Sequence, residues 1–443
     1  MLVERGLGSR TTVSWRRARA AARHLPEMSR MFLGAQTTSE RNGSPFTNVN
    51  DLFEDFTGAA FWAGVTAFIW YAFGAVPLQI AVAQQLDLTT AQTSSWIFIV
   101  WFSGAVWSIV LSVYYRQPIP ITWSIPGLVY MGTLAGDFSF SELVGANLLA
   151  GVLIVVLGFM GIGQRIMSWL PLPLLMGMFA GSILGYITRL VRATVDDILI
   201  VGLTVMGYLL ARWLRDSRVP PVGVAVAAGG LAIFWTHEGN PVPVEWIMPE
   251  LVFPEMAFSL PAFVAVTLPM VVLTLGLGNV QGLGFLVAQG FKVRVTPITI
   301  IVGINSVINA FLGGHTAIVA RTGVAILASP DAGPLSGRYW ANLIAAPLTI
   351  LIALAAEPLT STLSILPKSY VFALAGLAIL ASFQDALEKA FVSQLKLGAL
   401  VAFVVAATPF AFAGITSAFW ALLAGMVVSL IVEWPALKEY WAS

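Results

Sequence analysis

Gln117-Pro-Ile-Pro-Ile-Thr-Trp-Ser-Ile-Pro-Gly127 and Gly313-Gly-His-Thr-Ala-Ile-Val-Ala-Arg-Thr-Gly323 decide how the chain is read. Both lie in apolar surroundings suited to crossing lipid, yet neither can cross as a plain helix. Pro118 and Pro120 remove amide donors and disfavour helix before them, while Ile121 and Thr122 suit a strand. Pro126 fits the first turn of a new helix, where its missing N–H is not needed. In the second stretch Gly313 and Gly314 break the preceding helix, and a short helix ends near Ser329-Pro330. Each stretch reads as extended backbone followed by a half-helix.

Irregular backbone persists at membrane depth only where protein or a water-lined cavity satisfies it. Two half-helix N-termini, each partly positive, would make such a cavity an anion site. Paired broken helices in corresponding parts of two halves point to a transporter's binding site. The plainer alternative is two Pro/Gly-kinked spanning helices that bind nothing.

Composition agrees with a polytopic membrane protein. Of 443 residues 58% are hydrophobic and 10% charged, with a mean hydropathy of +0.85, whereas soluble domains carry about 25% charged residues. The absence of cysteine excludes disulfides, thiolate zinc sites and iron–sulfur ligation. His24, His237 and His315 are too scattered for an ordinary metal cluster, and no Walker A, HExxH or GxSxG pattern occurs. An enzyme is therefore not expected, nor a cofactor or metal. Residues 1–50 hold eight arginines against Glu4, Glu27 and Glu40 and no apolar run. They read as a disordered basic cytoplasmic tail rather than a signal peptide or nucleic-acid arm, with Met28 and Met31 as alternative starts.

Spans are predicted near 56–82, 94–114, 118–136 (broken), 142–162, 166–188, 195–214 and 219–236, then 259–288, 296–312, 314–329 (broken), 338–356, 359–382, 393–410 and 413–433. Residues 383–392 read as a short interfacial helix. The fold class is all-α: fourteen segments, seven in 51–237 and seven in 259–435, joined by an extracytoplasmic acidic linker at 238–258. Turns after even-numbered spans carry most of the Arg and Lys, which places both termini in the cytoplasm. Ala146-Asn-Leu-Leu-Ala-Gly151 recurs as Ala341-Asn-Leu-Ile-Ala-Ala346, and Phe179-Ala-Gly-Ser-Ile-Leu184 as Leu374-Ala-Gly-Leu-Ala-Ile379, both at an offset of 195. An odd number of spans per half makes the two repeats inverted, so the broken stretches can meet near the midplane.

GGHTAIVARTGVAILASPDAGPLSGRYWA (313–341), LPKSYVFALAGLAIL (366–380) and GLGNVQGLGFLVAQGFKVRVTP (276–297) resemble the bacterial benzoate/proton symporter (BenE-type) family over roughly 50–435. FGAVPLQ (73–79) and IPITWSIPG (119–127) more distantly resemble nucleobase–ascorbate and sulfate/bicarbonate transporters. The resemblance implies a core domain (51–162 and 259–357) that carries substrate between the half-helices of spans 3 and 10. It implies a gate domain (163–237 and 358–435), elevator-type movement of core against gate, and a homodimer through the gate. Two departures matter. BenE-type sequences usually carry an apolar or small residue where Arg321 stands. The nucleobase carriers use carboxylates in span 8, and 259–288 contains no Asp or Glu.

Arg321 is the most informative residue, because a charge in a span marks a function or an ion partner. With Thr322 at a half-helix N-terminus, its guanidinium would bind a carboxylate bidentately. The alternative is a structural ion pair or snorkelling, and no acidic partner stands out within the spans. His315 is a candidate for the coupled proton, or else a hydrogen-bonding brace. Asn279 and Gln281 would orient substrate or hold helices together. The stretch Ser124, Ile125, Pro126 and Gly127 would offer backbone amides, from every residue but the proline, and Phe73 and Trp123 would pack an aromatic ring or simply fill space between helices. The expected function is proton-coupled symport of benzoate or a similar aromatic carboxylate across the inner membrane. The partners are that small organic anion, protons and lipid, with no nucleic acid. The alternatives are an inorganic-anion (sulfate/bicarbonate) transporter, or an anion-binding channel or sensor without coupled transport.

Overall fold

A computed structural model describes residues 53–161, 171–214, 219–236, 246–364, 366–412 and 415–442. The basic tail 1–50 and residues 238–245 of the acidic linker lie outside the described residues. The elements of the first half are α1 (Gly58–Gln85), α2 (Thr90–Tyr115), β1 (Ile121–Trp123), α3 (Ile125–Thr133), α4 (Phe140–Met160), α5 (Leu172–Asp196), α6 (Ile200–Leu214) and α7 (Pro221–Thr236). The second half contains α8 (Leu260–Ala288), α9 (Val295–Phe311), β2 (Ala317–Val319), α10 (Arg321–Leu327), α11 (Tyr339–Leu354), α12 (Ala356–Ser364), α13 (Lys368–Phe391), α14 (Lys396–Ala407), α15 (Ser417–Val432) and α16 (Trp434–Ala442). A two-residue hairpin, β3 (Ala411–Phe412) with β4 (Ile415–Thr416), precedes α15.

Local chemistry sets these boundaries. Thr89 with Gln92 and Ser139 with Glu142 form reciprocal capping boxes that start α2 and α4. Ser124 caps α3 by accepting from Gly127 N at 3.0 Å, with Pro126 in the first turn. Among the described residues α1, α2, α4, α5, α8 and α13 are long and apolar enough to cross a bilayer, and α15 with α16, bent by 104°, makes a seventh candidate. α6, α7, α9, α11 and α14 are apolar but shorter.

One expected boundary needs correcting. The predicted span 359–382 and interfacial helix 383–392 are instead α12 and a single α13 that continues through Gln384-Asp385-Ala386-Leu387-Glu388-Lys389. Pro367 caps α13 and disfavours helix just before it, so the break falls there and not at the first polar residues.

Elements recur along the chain. The second-half partners of β1, α3, α5, α6 and α7 begin 196 residues later, from 121 to 317, 125 to 321, 172 to 368, 200 to 396 and 221 to 417. β1 and β2 meet as an antiparallel pair, Ile121 opposite Val319, Thr122 opposite Ile318 and Trp123 opposite Ala317. Helices pack around this pair: α11 on α1 and α2, α4 on α9, and α5 on α13 and α14. α8 lies flush against β2 because Gly278 and Gly282 face it. A Cβ at Gly278 would run into the Ile318 side chain, and one at Gly282 would sit 2.6 Å from Val319 O. The same helix widens into π-helical turns at Phe263–Thr267 and Leu273–Asn279.

Candidate substrate site

Two strands of three residues buried among helices leave backbone groups that must be paired. Their outer edges are completed by side chains from the surrounding spans. Ser108 Oγ receives Ile121 N at 2.8 Å, Ser306 Oγ receives Ala317 N at 2.9 Å, and Asn279 Oδ1 receives Val319 N at 3.0 Å. Asn309 Nδ2 donates to His315 O, while Ser103 Oγ donates to Asn309 Oδ1. Backbone bonds from Ser124 N to Thr316 O and from Ala320 N to Pro120 O extend the pairing past both strands. Small polar residues in apolar helices thus hold the two broken stretches together.

His315 belongs to this brace. Trp96 Nε1 donates to His315 Nδ1 at 3.1 Å, and His315 Nε2 lies 3.2 Å from Ser124 O. Indole is donor-only and a carbonyl acceptor-only, so these contacts select the neutral imidazole with its proton on Nε2. Both ring nitrogens are then satisfied, and the fully buried ring does not line the cavity described next.

The cavity lies where β1, β2, α3 and α10 meet α1, α5, α8 and α13, and measures about 80 Å³. Trp70, Tyr71, Trp101, Trp123 and Phe179 give it aromatic walls, with Met176, Leu277 and Ile318 filling between them. Its polar groups are Thr122, Gln281, Arg321, Thr322, Ser382 and Asp385. Three groups on the wall are buried without a partner: the Tyr71 hydroxyl, Trp123 Nε1 and Gln281 Nε2. Each can donate, so the lining is short of acceptors. α10 starts at the cavity with no side-chain cap from Ala320, unlike the Ser124-capped α3.

Arg321 has the acidic partner that the sequence did not reveal. Its Nη1 donates to Asp385 Oδ2 at 2.7 Å and to Gln281 Oε1 at 3.0 Å. Lys389 Nζ reaches the same Asp385 oxygen at 2.8 Å, one turn along α13. Only Nη1 is engaged, so Nε and Nη2 keep one edge of the guanidinium fork unoccupied in a side chain 37% exposed.

Of the residues singled out from sequence, Ile125, Pro126, Gln281, Arg321 and Thr322 line this cavity. Ser124 and Gly127 stand just outside it as cap and capped amide. Asn279 supports β2 and His315 braces the breaks. Phe73 is 44% exposed on α1, beside Gly223, and does not line the cavity; its neighbours Trp70 and Tyr71 do. Sequence reasoning missed Asp385, Lys389, Ser382 and, Trp123 apart, the aromatic walls. The i,i+4 pair Asp385/Lys389 inside a helical run was the one available signal.

Comparison with known proteins adds the context of relatives. The family described as benzoate membrane transport protein matches residues 54–431. The "Benzoate membrane transport protein" of Acinetobacter baylyi is 28% identical over 393 residues, covering 88% of this chain and 99% of that protein. "Inner membrane protein YdcO" of Escherichia coli is 28% identical over 379 residues, covering 84% and 93%. The transmembrane domain of the cyanobacterial bicarbonate transporter BicA superposes with a TM-score of 0.58 at 18% identity, over 83% of this chain and 96% of that one. The murine anion transporter Slc26a9, in its inward-facing state, gives 0.56 at 15% identity, over 92% and 75%. At these identities the two superpositions establish a shared fold.

Proposed function

The chain belongs to the benzoate membrane transport protein family, and on that premise we propose that it is a proton-coupled symporter of benzoate or a similar small aromatic carboxylate. One observation carries the reading: the free Nε/Nη2 edge of Arg321 sits in an aromatic-walled cavity whose unpartnered groups can donate. A carboxylate docks on that edge through two parallel N–H···O bonds. The ring of the substrate packs among Trp70, Trp101, Trp123 and Phe179, which favour offset or edge-on contact with another ring. Sulfate or bicarbonate would use the same donors but leave those walls without a partner.

The architecture that fits this reading is fourteen segments in two inverted repeats, supported by the recurring elements and the antiparallel β1–β2 pair. Core (51–162 and 259–357) and gate (163–237 and 358–435) then move as units past each other, and the Arg321–Asp385 bond crosses between them. With Arg and Lys concentrated after even-numbered spans, both termini are cytoplasmic in the inner membrane.

Uptake of labelled benzoate into proteoliposomes under an imposed inward proton gradient tests the proposal. Accumulation above equilibrium, lost in Arg321→Ala, is the expected result. Folded protein that takes up no benzoate overturns the substrate, and equilibration without accumulation favours a channel.

A further inference from the structure

The charges around the cavity do not cancel. Arg321 and Lys389 both donate to Asp385 Oδ2, so two cations share one carboxylate and the cluster keeps a net charge of +1. Arg321 and Asp385 are the charged residues on the wall, and Lys389 lies four residues further along α13. The other groups beside them are uncharged: Gln281 from α8, Tyr71 from α1, Thr322 from α10, Ser382 on α13, and Met176 and Phe179 from α5. Glu388 is exposed on α13 and does not line the cavity.

From this arrangement we infer that Asp385 sets the charge of the ligand, so that the site takes singly charged anions and rejects doubly charged ones. The inference rests on the proposed carboxylate site and adds its charge class. A monoanion on the free edge of Arg321 brings the cluster to neutrality. A dianion leaves it negative and places its second charge against the Asp385 carboxylate, in a cavity where salt screens little. Asp385 is thus a repulsive element beside the attractive fork, the combination that specific sites use to exclude a close competitor. Without it, two cations face the ligand and the dianion becomes the matched partner.

Two probes of similar shape separate charge from fit: benzenesulfonate, a monoanion, and phenylphosphonate, a dianion above neutral pH. Displacement of labelled benzoate from the purified full-length protein is measured at that pH. Wild type is expected to release benzoate to benzenesulfonate at a concentration about tenfold or more below that needed with phenylphosphonate, since like-charge juxtaposition is costly. Asp385→Asn should remove or reverse that preference, Asp385→Glu should keep it, and Lys389→Gln should weaken benzoate itself. Retained benzoate binding by each variant shows that it is folded, with Asp385→Ser as a second neutral substitution. An unchanged ratio in Asp385→Asn and Asp385→Ser overturns the inference, as does phenylphosphonate failing to displace benzoate from either. A wild type that binds no benzoate instead overturns the proposed function.

Discussion

His315 joins the two broken spans through Ser124: its Nε2 donates to the Ser124 carbonyl at 3.2 Å while Trp96 Nε1 feeds its Nδ1 at 3.1 Å. The same Ser124 caps α3, so one imidazole fixes the start of a half-helix at the site. Replacing His315 with Phe leaves the buried Trp96 indole N–H unpaired, at about 1–3 kcal/mol, and strips Ser124 O of one of its two bonds, the other coming from Leu128 N at 2.7 Å. We expect a lower unfolding temperature in detergent and weaker benzoate binding together. Trp96→Phe should be milder, and the double variant less than additive, because both remove one shared hydrogen bond. A His315→Phe protein as stable as wild type would remove His315 from the brace.

Arg321→Lys keeps the charge and loses the fork. Lysine can pair with Asp385 as a point charge but offers no planar edge for a second carboxylate. Charge-assisted hydrogen bonds contribute about 1.5–3 kcal/mol, so benzoate affinity should fall about 10- to 100-fold. Stability should change little, since Asp385 retains Lys389. Calorimetric titration with benzoate checks the affinity, and thermal unfolding checks the fold. Equal affinity in Arg321→Lys would mean that the free edge plays no part in binding.

The broken stretches were legible because proline and glycine act on the backbone locally, whatever surrounds them. Ile125, Pro126, Arg321 and Thr322 followed from that reading and do line the cavity. Asp385 was not legible because a hydropathy pattern treats a polar run as a helix leaving the membrane. In the fold that run is the continuation of α13, with the carboxylate paired to Arg321 and Lys389. The aromatic walls were hidden for the opposite reason. Trp70, Trp101 and Phe179 sit among 15 tryptophans and 27 phenylalanines, and nothing in the sequence distinguishes a ring facing a cavity from one facing lipid. Phe73 illustrates this: it lies two residues from Tyr71 on α1, yet only Tyr71 reaches the cavity.

Movement of core against gate can be tested with cross-links, because the chain contains no cysteine. Gly132 on α3 packs against the hydroxyl of Tyr186 on α5, a contact between the proposed core and the proposed gate. A cleavable bifunctional thiol reagent joining Gly132→Cys to Tyr186→Cys should stop uptake until reduced. Gly398 and Gly425 both lie in the proposed gate, where a Cβ at Gly398 would be 2.8 Å from Gly425 O. A cross-link between cysteines there should leave at least about half of that variant's own uncross-linked uptake if the gate moves as a unit. Full uptake with the core–gate link in place would exclude relative movement at that contact.

Gly323, in the first turn of α10, has room for hydrogen only. A Cβ there would run into the Tyr71 hydroxyl and lie 3.1 Å from Pro120 Cγ. The backbone on both sides is tied down, by Ala320 N to Pro120 O and by Val324 N to Ala320 O, so α10 cannot simply back away. Tyr71 must therefore yield, and it is one of the cavity walls. We expect Gly323→Ala to weaken benzoate binding by about tenfold or more, within the usual 1–3 kcal/mol cost of overpacking. Tyr71→Phe alone removes a hydroxyl with no protein partner and should leave stability nearly unchanged, with a few-fold loss of affinity if that hydroxyl meets the carboxylate. Combining the two substitutions takes away the atom that the new methyl would strike. The double variant should then bind benzoate better than Gly323→Ala, a coupling of about 1 kcal/mol or more in a double-mutant cycle. Additive effects in that cycle would show that Tyr71 and Gly323 do not meet, and would move the start of α10 away from the aromatic wall.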